Sequence, residues 1–319
     1  MELQLNPGNL TLSKERTYFT ILIIFSCIIW LVCILSIVPL IGLLIGGFVA
    51  WFTHGLLIAR IKSEAVKLDA NQMPALSATF EELCGKLNMK QVPELYLMQA
   101  GGILNAFATR HCARDFVVVY SDLLDTYGPG SDEIKFLLGH EIGHIRSRHI
   151  LKNMLILPGT FLPLIGSAYN RACESSCDRH GAYASNDPAA SVRAMMILSG
   201  GKQAGRDLIA AAFSEQHHTA RGFFVSLHEL FSAYPTLSKR VSDLLDLQHE
   251  RTTPKPGRNP LAYLVGLLCP GARYGVFGMV ITAYFFVIIC GVMIPSFTKA
   301  REKAKSATEA RIRAESSQE

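Results

Sequence analysis

Two histidines and a glutamate stand close together in the run Gly139-His140-Glu141-Ile142-Gly143-His144. On a helix the i, i+4 spacing puts both imidazoles on one face, about 6 Å apart, where they can share one ion. Glu141, next to the first histidine, then faces the open coordination position. A zinc ion in such a site lowers the pKa of water to about 7, and a carboxylate beside it can take the proton as the water attacks a peptide carbonyl. The pattern therefore implies metal-assisted peptide hydrolysis, with one zinc per chain and a protein or peptide as substrate.

Three protein ligands and one open position are the usual catalytic arrangement, so a third ligand is needed. His149 is one candidate, but it lies nine residues after His140, half a helical turn off their shared face. Cys173 and Cys177 are others, although their Cys-x-x-x-Cys spacing is not that of a structural zinc knuckle. The run Arg171-Ala172-Cys173-Glu174-Ser175-Ser176-Cys177-Asp178 offers the best. Glu174 and Asp178 lie four apart on one helical face, so Glu174 can bind the metal while Asp178 accepts a hydrogen bond from the far nitrogen of a ligand histidine. His217 and His218 are adjacent, point to different faces of any regular element, and are expected in a polar loop.

These residues need elements to hold them. Ser131, followed by Asp132 and Glu133, offers a capping oxygen and two carboxylates to the positive end of a helix carrying the histidines. Apolar spacing predicts a helix from Pro74 to Leu87, and short strands are expected at Glu94 to Met98, Ile103 to Thr109 and Asp115 to Tyr120. The expected fold class is α+β: a mostly helical, zincin-like domain with a small sheet over residues 61–250.

The rest of the chain points to a bilayer. Of the 319 residues 50% are hydrophobic and only 18% charged, and mean hydropathy is +0.26. No charged residue occurs from Thr17 to Ala59, a run twice the ~20 residues one span needs. A hairpin over residues 1–60 is predicted, with helices near 17–37 and 41–60 and a break at Pro39 to Gly42. A second uncharged run, 274–298, is read as one transmembrane helix, reached through a linker and interfacial segment at 251–273 and followed by a charged tail, 299–319. The apolar stretch 151–169 is too short to cross twice but can dip into the membrane surface. Net charge is +5, with no basic groove carrying interleaved aromatics, so nucleic acid is not an expected partner. The eight cysteines, some inside apolar runs, do not form a secreted disulfide framework.

Basic residues set the expected orientation. With a first hairpin, Lys14, Arg16, Arg60, Lys62, Lys67, Lys255, Arg258 and Arg273 share one side, against Lys299, Arg301, Lys303 and Lys305 beyond the last span. This places the catalytic region on the cytoplasmic face. A single bent first span would instead set the N-terminus and tail together on the opposite side.

On these motifs residues 75–246 resemble the HtpX-type family of membrane gluzincin peptidases, which includes the CAAX prenyl endopeptidases and the mitochondrial Oma-type proteases. The marks are the zinc helix, Glu174 with Asp178, Asn105-Ala106-Phe107-Ala108-Thr109, Tyr120-Ser121-Asp122-Leu123-Leu124 and Pro235 to Arg240. The resemblance implies that the Asn105 and Phe107 segment is an edge strand along which an extended substrate pairs. It also implies that Arg240 serves the oxyanion. The family's histidine six residues before that arginine is Tyr234 here, whose phenol can still donate. The transmembrane pair that HtpX carries between zinc helix and third ligand has no counterpart between His144 and Glu174. Proteolytic quality control in the bacterial inner (cell) membrane, on unfolded or membrane-associated proteins, is a further implication. A catalytically silent membrane scaffold that keeps the fold is the alternative.

Overall fold

The computed structural model describes residues 5–35 and 37–275, with scattered positions between 278 and 306. The transmembrane helix expected at 274–298 and the charged tail lie almost wholly outside the described residues.

Two apolar helices come first, α1 (Ser13–Leu35) and α2 (Ile37–Glu64). Each is long and apolar enough to cross a membrane. Their side chains face outward rather than into the protein; Ile24, Leu44 and Phe48 are each more than 60% exposed. The first helix ends at Leu35 and the second begins at Ile37, ahead of the predicted break at Pro39 to Gly42. Pro39 sits in the first turn of α2, where its missing N–H leaves no helical bond unmade, so it does not end a helix.

The chain then forms β1 (Val66–Leu68), α3 (Pro74–Lys86), β2 (Glu94–Met98), β3 (Ala106–His111) and β4 (Arg114–Tyr120). The strand expected from Ile103 begins instead at Ala106, after a bend at Gly101 and Gly102, which adopt positive φ. The sheet order is β1-β2-β4-β3, antiparallel except for the parallel pair β2 and β4. That order leaves β3 on an edge.

The sheet is buried on both faces, which accounts for the unbroken apolar run of Phe116 to Val119 in β4. Leu95, Val117 and Val119 point into the main core with α3 and the helices that follow. Tyr96, Phe116 and Val118 point the other way, onto Ile58 and Ile61 at the end of α2. The second membrane helix is thereby seated on the back of the sheet.

The helical part comprises α4 (Ser121–Tyr127), α5 (Asp132–Arg146), α6 (His149–Leu155), α7 (Ile165–Ser185), α8 (Pro188–Gly200), α9 (Ala204–Asp207), α10 (Ala210–Thr219), α11 (Phe223–Phe231), α12 (Leu237–Gln248) and α13 (Pro260–Leu267). His217 and His218 belong to α10, not to the polar loop expected. The alanines that open this segment favour helix, and Phe213 fixes it against the main core. The apolar stretch after α6 lies along α1: Gly159 N–H donates to Ser26 Oγ at 2.9 Å and Trp30 Nε1–H to the Leu155 carbonyl at 2.8 Å.

Candidate metal centre

Helix α5 starts as its sequence directs, with Ser131 Oγ accepting from Ile134 N–H at 3.2 Å. It packs against α7 along a seam of small residues. A Cβ added at Gly139 would lie 2.5 Å from Ala184 Cβ, one at Gly143 2.9 Å from His180 Cβ, and one at Gly181 2.5 Å from the Phe136 carbonyl oxygen. Bare glycines therefore let the two backbones approach closely. That approach brings the α5 histidines to the α7 carboxylates.

His140 Nε2 lies 3.3 Å from His144 Nε2 and 3.4 Å from Glu174 Oε2, and His144 Nε2 lies 3.6 Å from Glu174 Oε1. Four-coordinate zinc with bonds of about 2.0–2.1 Å sets its ligand atoms about 3.3–3.4 Å apart, a spacing close to these approaches. Two further donor groups among the described residues, His144-His149-Cys177 and Glu15-His149-Cys173, depend on His149. Both nitrogens of His149 are already engaged, so that imidazole has no free lone pair to offer. Burial also pushes the Cys173 and Cys177 thiols well up, which favours their neutral form.

Hydrogen bonds assign the tautomers of both candidate ligands. His140 Nδ1–H donates to Asp178 Oδ1 at 2.9 Å, leaving the Nε2 lone pair to face Glu174. His149 Nε2–H donates to Glu15 Oε1 at 3.0 Å, so its Nδ1 accepts from His144 Nδ1–H at 3.1 Å. His144 thus also presents Nε2. Glu15 and His149 are 0% and 1% exposed, which makes this chain a fixed part of the interior.

Arg240 forks onto Asp178, Nε–H donating to Oδ2 at 2.8 Å and the second guanidinium nitrogen to Oδ1 at 2.6 Å. Burial alone would raise the Asp178 pKa; the charge and hydrogen bonds of Arg240 outweigh it and hold the carboxyl far below its usual range. Burial also acts against Glu174, and there His140 and His144 keep the pKa low. With Asp178 answered by Arg240, Glu174 supplies a net negative charge beside two nitrogen donors, a set suited to a divalent cation.

The centre opens on a cavity of about 360 Å³ lined by His140, Glu141, His144, Glu174, Tyr234 and Arg240, with Asn105 and Phe107 on its β3 side. Burial pushes the Glu141 carboxyl up to about 7; His140 opposes this, Glu174 adds to it, and a hydrogen bond from the Ala108 amide of β3 lowers it again. Tyr234 stands 60% exposed at the rim. Phe107 also packs against the Tyr96 and Phe116 side of the sheet. The residues picked out for chemistry thus converge on one cavity, with Asp178 directly behind it.

Glu15 and the placement of His149 were not foreseen. Glu15 lies between Lys14 and Arg16 ahead of an apolar run and reads locally as part of a membrane-flanking charge cluster. His149 was judged by helical phase, but α5 ends at Arg146 and Arg148 adopts φ 56°, which turns the chain back so that the His149 ring lies 5.1 Å from that of His144.

A mostly helical domain with a small sheet, holding two histidines of a His-Glu-x-x-His helix against a glutamate from the next long helix, defines a class, the metallopeptidases. The model of peptidase family M48 matches residues 70–165. The plastoglobule-localized metallopeptidase 48 of Arabidopsis thaliana is 28% identical over 169 residues, covering 48% of this chain and 48% of that protein. This chain therefore spans about half the length of that relative. A protease HtpX homolog from Methylibium petroleiphilum is 24% identical over 262 residues, covering 68% of this chain and 89% of the relative. No solved structure gives a match. These likenesses support an HtpX-type metallopeptidase of family M48. Its two apolar N-terminal helices accord with a membrane protein.

Proposed function

We propose that this protein is a zinc-dependent endopeptidase of the membrane surface, cleaving peptide bonds in extended segments of unfolded or membrane-associated proteins. The observation that carries the reading is the cluster of His140, His144 and Glu174, whose donor atoms approach one another to 3.3, 3.4 and 3.6 Å, a spacing that suits one ion. Zinc held by these three side chains would supply Lewis acidity toward the scissile carbonyl and the attacking water. Glu141 takes the proton of that water on its carboxylate and delivers it to the leaving amine. Asp178 keeps His140, and His149 keeps His144, in the tautomer whose Nε2 is free.

Substrate pairs with the open edge of β3, which passes Asn105 and Phe107 and reaches Glu141 through the Ala108 amide. Tyr234 at the rim is the available donor to the developing oxyanion. Arg240 lines the same cavity but spends two donors on Asp178, so its main work is to hold the charge that orients His140. The apolar hairpin anchors the domain in the bilayer, and the basic residues at its ends place the domain on the cytoplasmic side.

Zinc content and casein cleavage of the purified protein, measured beside Glu141→Gln, test the mechanism. The variant keeps its metal and loses cleavage. Equal cleavage by the two proteins would overturn the assignment of Glu141.

A further inference from the structure

A second cavity, of about 550 Å³, lies on the far side of α7 from the metal centre, between the first turn of α1 and α13. Leu12, Ser13, Lys14 and Tyr18 contribute from α1 and Tyr263 from α13. Seven cations reach it, Lys14, Arg171, Arg179, Lys239, Arg251, Lys255 and Arg258, against three carboxylates, Asp178, Asp243 and Asp246. Those carboxylates are already in use. Asp178 answers Arg240, Asp243 pairs with Lys255, Asp246 pairs with Arg251 at 3.3 Å, and Glu229, outside the lining, meets Arg258 at 2.8 Å.

Several of the cations have donors left over. Lys14 and Lys239 make no hydrogen bond or ion pair among the described residues. Arg179 uses one terminal nitrogen on the Asn9 carbonyl, at 3.2 Å, while its Nε–H is buried with no acceptor. Arg171 is 8% exposed and spends one terminal nitrogen on the Leu230 and Ser232 carbonyls. Buried or crowded cations with free donors are costly unless an anion meets them. Burial and the like charges of Lys255 and Arg258 depress Lys239 to about 8, as expected of a cluster short of negative charge.

Position says where such an anion comes from. The uncharged run of α1 begins just past Arg16, and on α13 Leu261, Leu264 and Leu267 are each more than half exposed. Tyr18 of α1 and Tyr263 of α13 line the cavity and join it to these apolar surfaces, and aromatic side chains of this kind favour a membrane surface. A ligand seated here has its charged end among the cations and an apolar end beside the leucines. We infer that this cavity binds the phosphate headgroup of an anionic phospholipid. The cavity holds none of the candidate metal ligands, although it shares Asp178 with their surroundings, and the inference does not depend on the peptidase reading.

The full chain, purified in neutral detergent, is titrated with phosphatidylglycerol or phosphatidylcholine, and bound lipid is counted by native mass spectrometry. The wild type retains phosphatidylglycerol in preference to phosphatidylcholine. Lys14→Gln with Lys239→Gln lowers that retention about tenfold, because two cations that attract anionic lipid are removed. Phosphatidylcholine retention, zinc content and casein cleavage stay at wild-type levels, which shows the variant is folded. Lys14→Arg with Lys239→Arg restores binding. Equal retention of the two lipids, unchanged phosphatidylglycerol binding in the glutamine variant, or displacement of the lipid by equimolar inorganic phosphate would overturn the inference; the last outcome would mark a site for a soluble anion.

Discussion

Asp178→Asn exchanges a carboxylate for an amide of the same size at the point where metal binding and stability meet. In the wild type Asp178 accepts from His140 at 2.9 Å and from Arg240 at 2.8 and 2.6 Å. The two side chains of the ion pair are only 5% and 10% exposed. Removing one partner strands the other as an unpaired buried charge and costs about 3–5 kcal/mol, a large part of the about 5–15 kcal/mol that holds a domain folded. The amide oxygen can still accept from His140, but without its charge the imidazole is a weaker ligand, and zinc affinity falls about 10–100-fold. Asp178→Asn with Arg240→Met removes the stranded cation, recovering most of the stability while zinc affinity stays low.

Acid gives an independent handle on the same pair. Because the Asp178 pKa is depressed on folding, its contribution is complete above the unfolded carboxylate value of about 4 and is lost as pH falls toward the folded one. The wild-type and Asp178→Asn stabilities therefore converge below about pH 4. Urea unfolding of the metal-free proteins across pH, with zinc titration against a competing chelator, measures both effects. If the double variant is no more stable than Asp178→Asn, the stranded charge is not the cause. If Asp178→Asn binds zinc as the wild type does, Asp178 does not tune His140.

Two further perturbations test how the centre is assembled. His149→Leu removes the acceptor for His144 Nδ1–H, and zinc affinity measured by the same titration falls about 10–100-fold; an unchanged affinity would take His149 out of the metal site. Gly181→Ala places a methyl 2.5 Å from the Phe136 carbonyl oxygen, forcing α5 and α7 apart. Overpacking of this kind costs about 1–3 kcal/mol, so the melting temperature drops together with zinc content, whereas a drop in the first alone would show that the seam does not set ligand spacing.

Sequence determined what depends on neighbours along the chain. The pairs His140 with His144 and Glu174 with Asp178 are visible because helical periodicity turns a spacing of four into a shared face, and Ser131 with two acidic residues fixes where the first helix begins. The uncharged run after Arg16 shows the membrane helices for the same local reason. What lay beyond reach depended on contacts between distant segments. Glu15 carries no local sign of its partner 134 positions away. His149 was placed by extrapolating a helix that in fact ends at Arg146, and a single left-handed residue, Arg148, changed its direction. Arg240 meets Asp178 because α12 packs against α7, a contact that no local spacing in the sequence shows. The convergence of His140, His144 and Glu174 depends on glycines at the α5 and α7 seam, which let the two backbones come close enough for their side chains to meet within 3.6 Å.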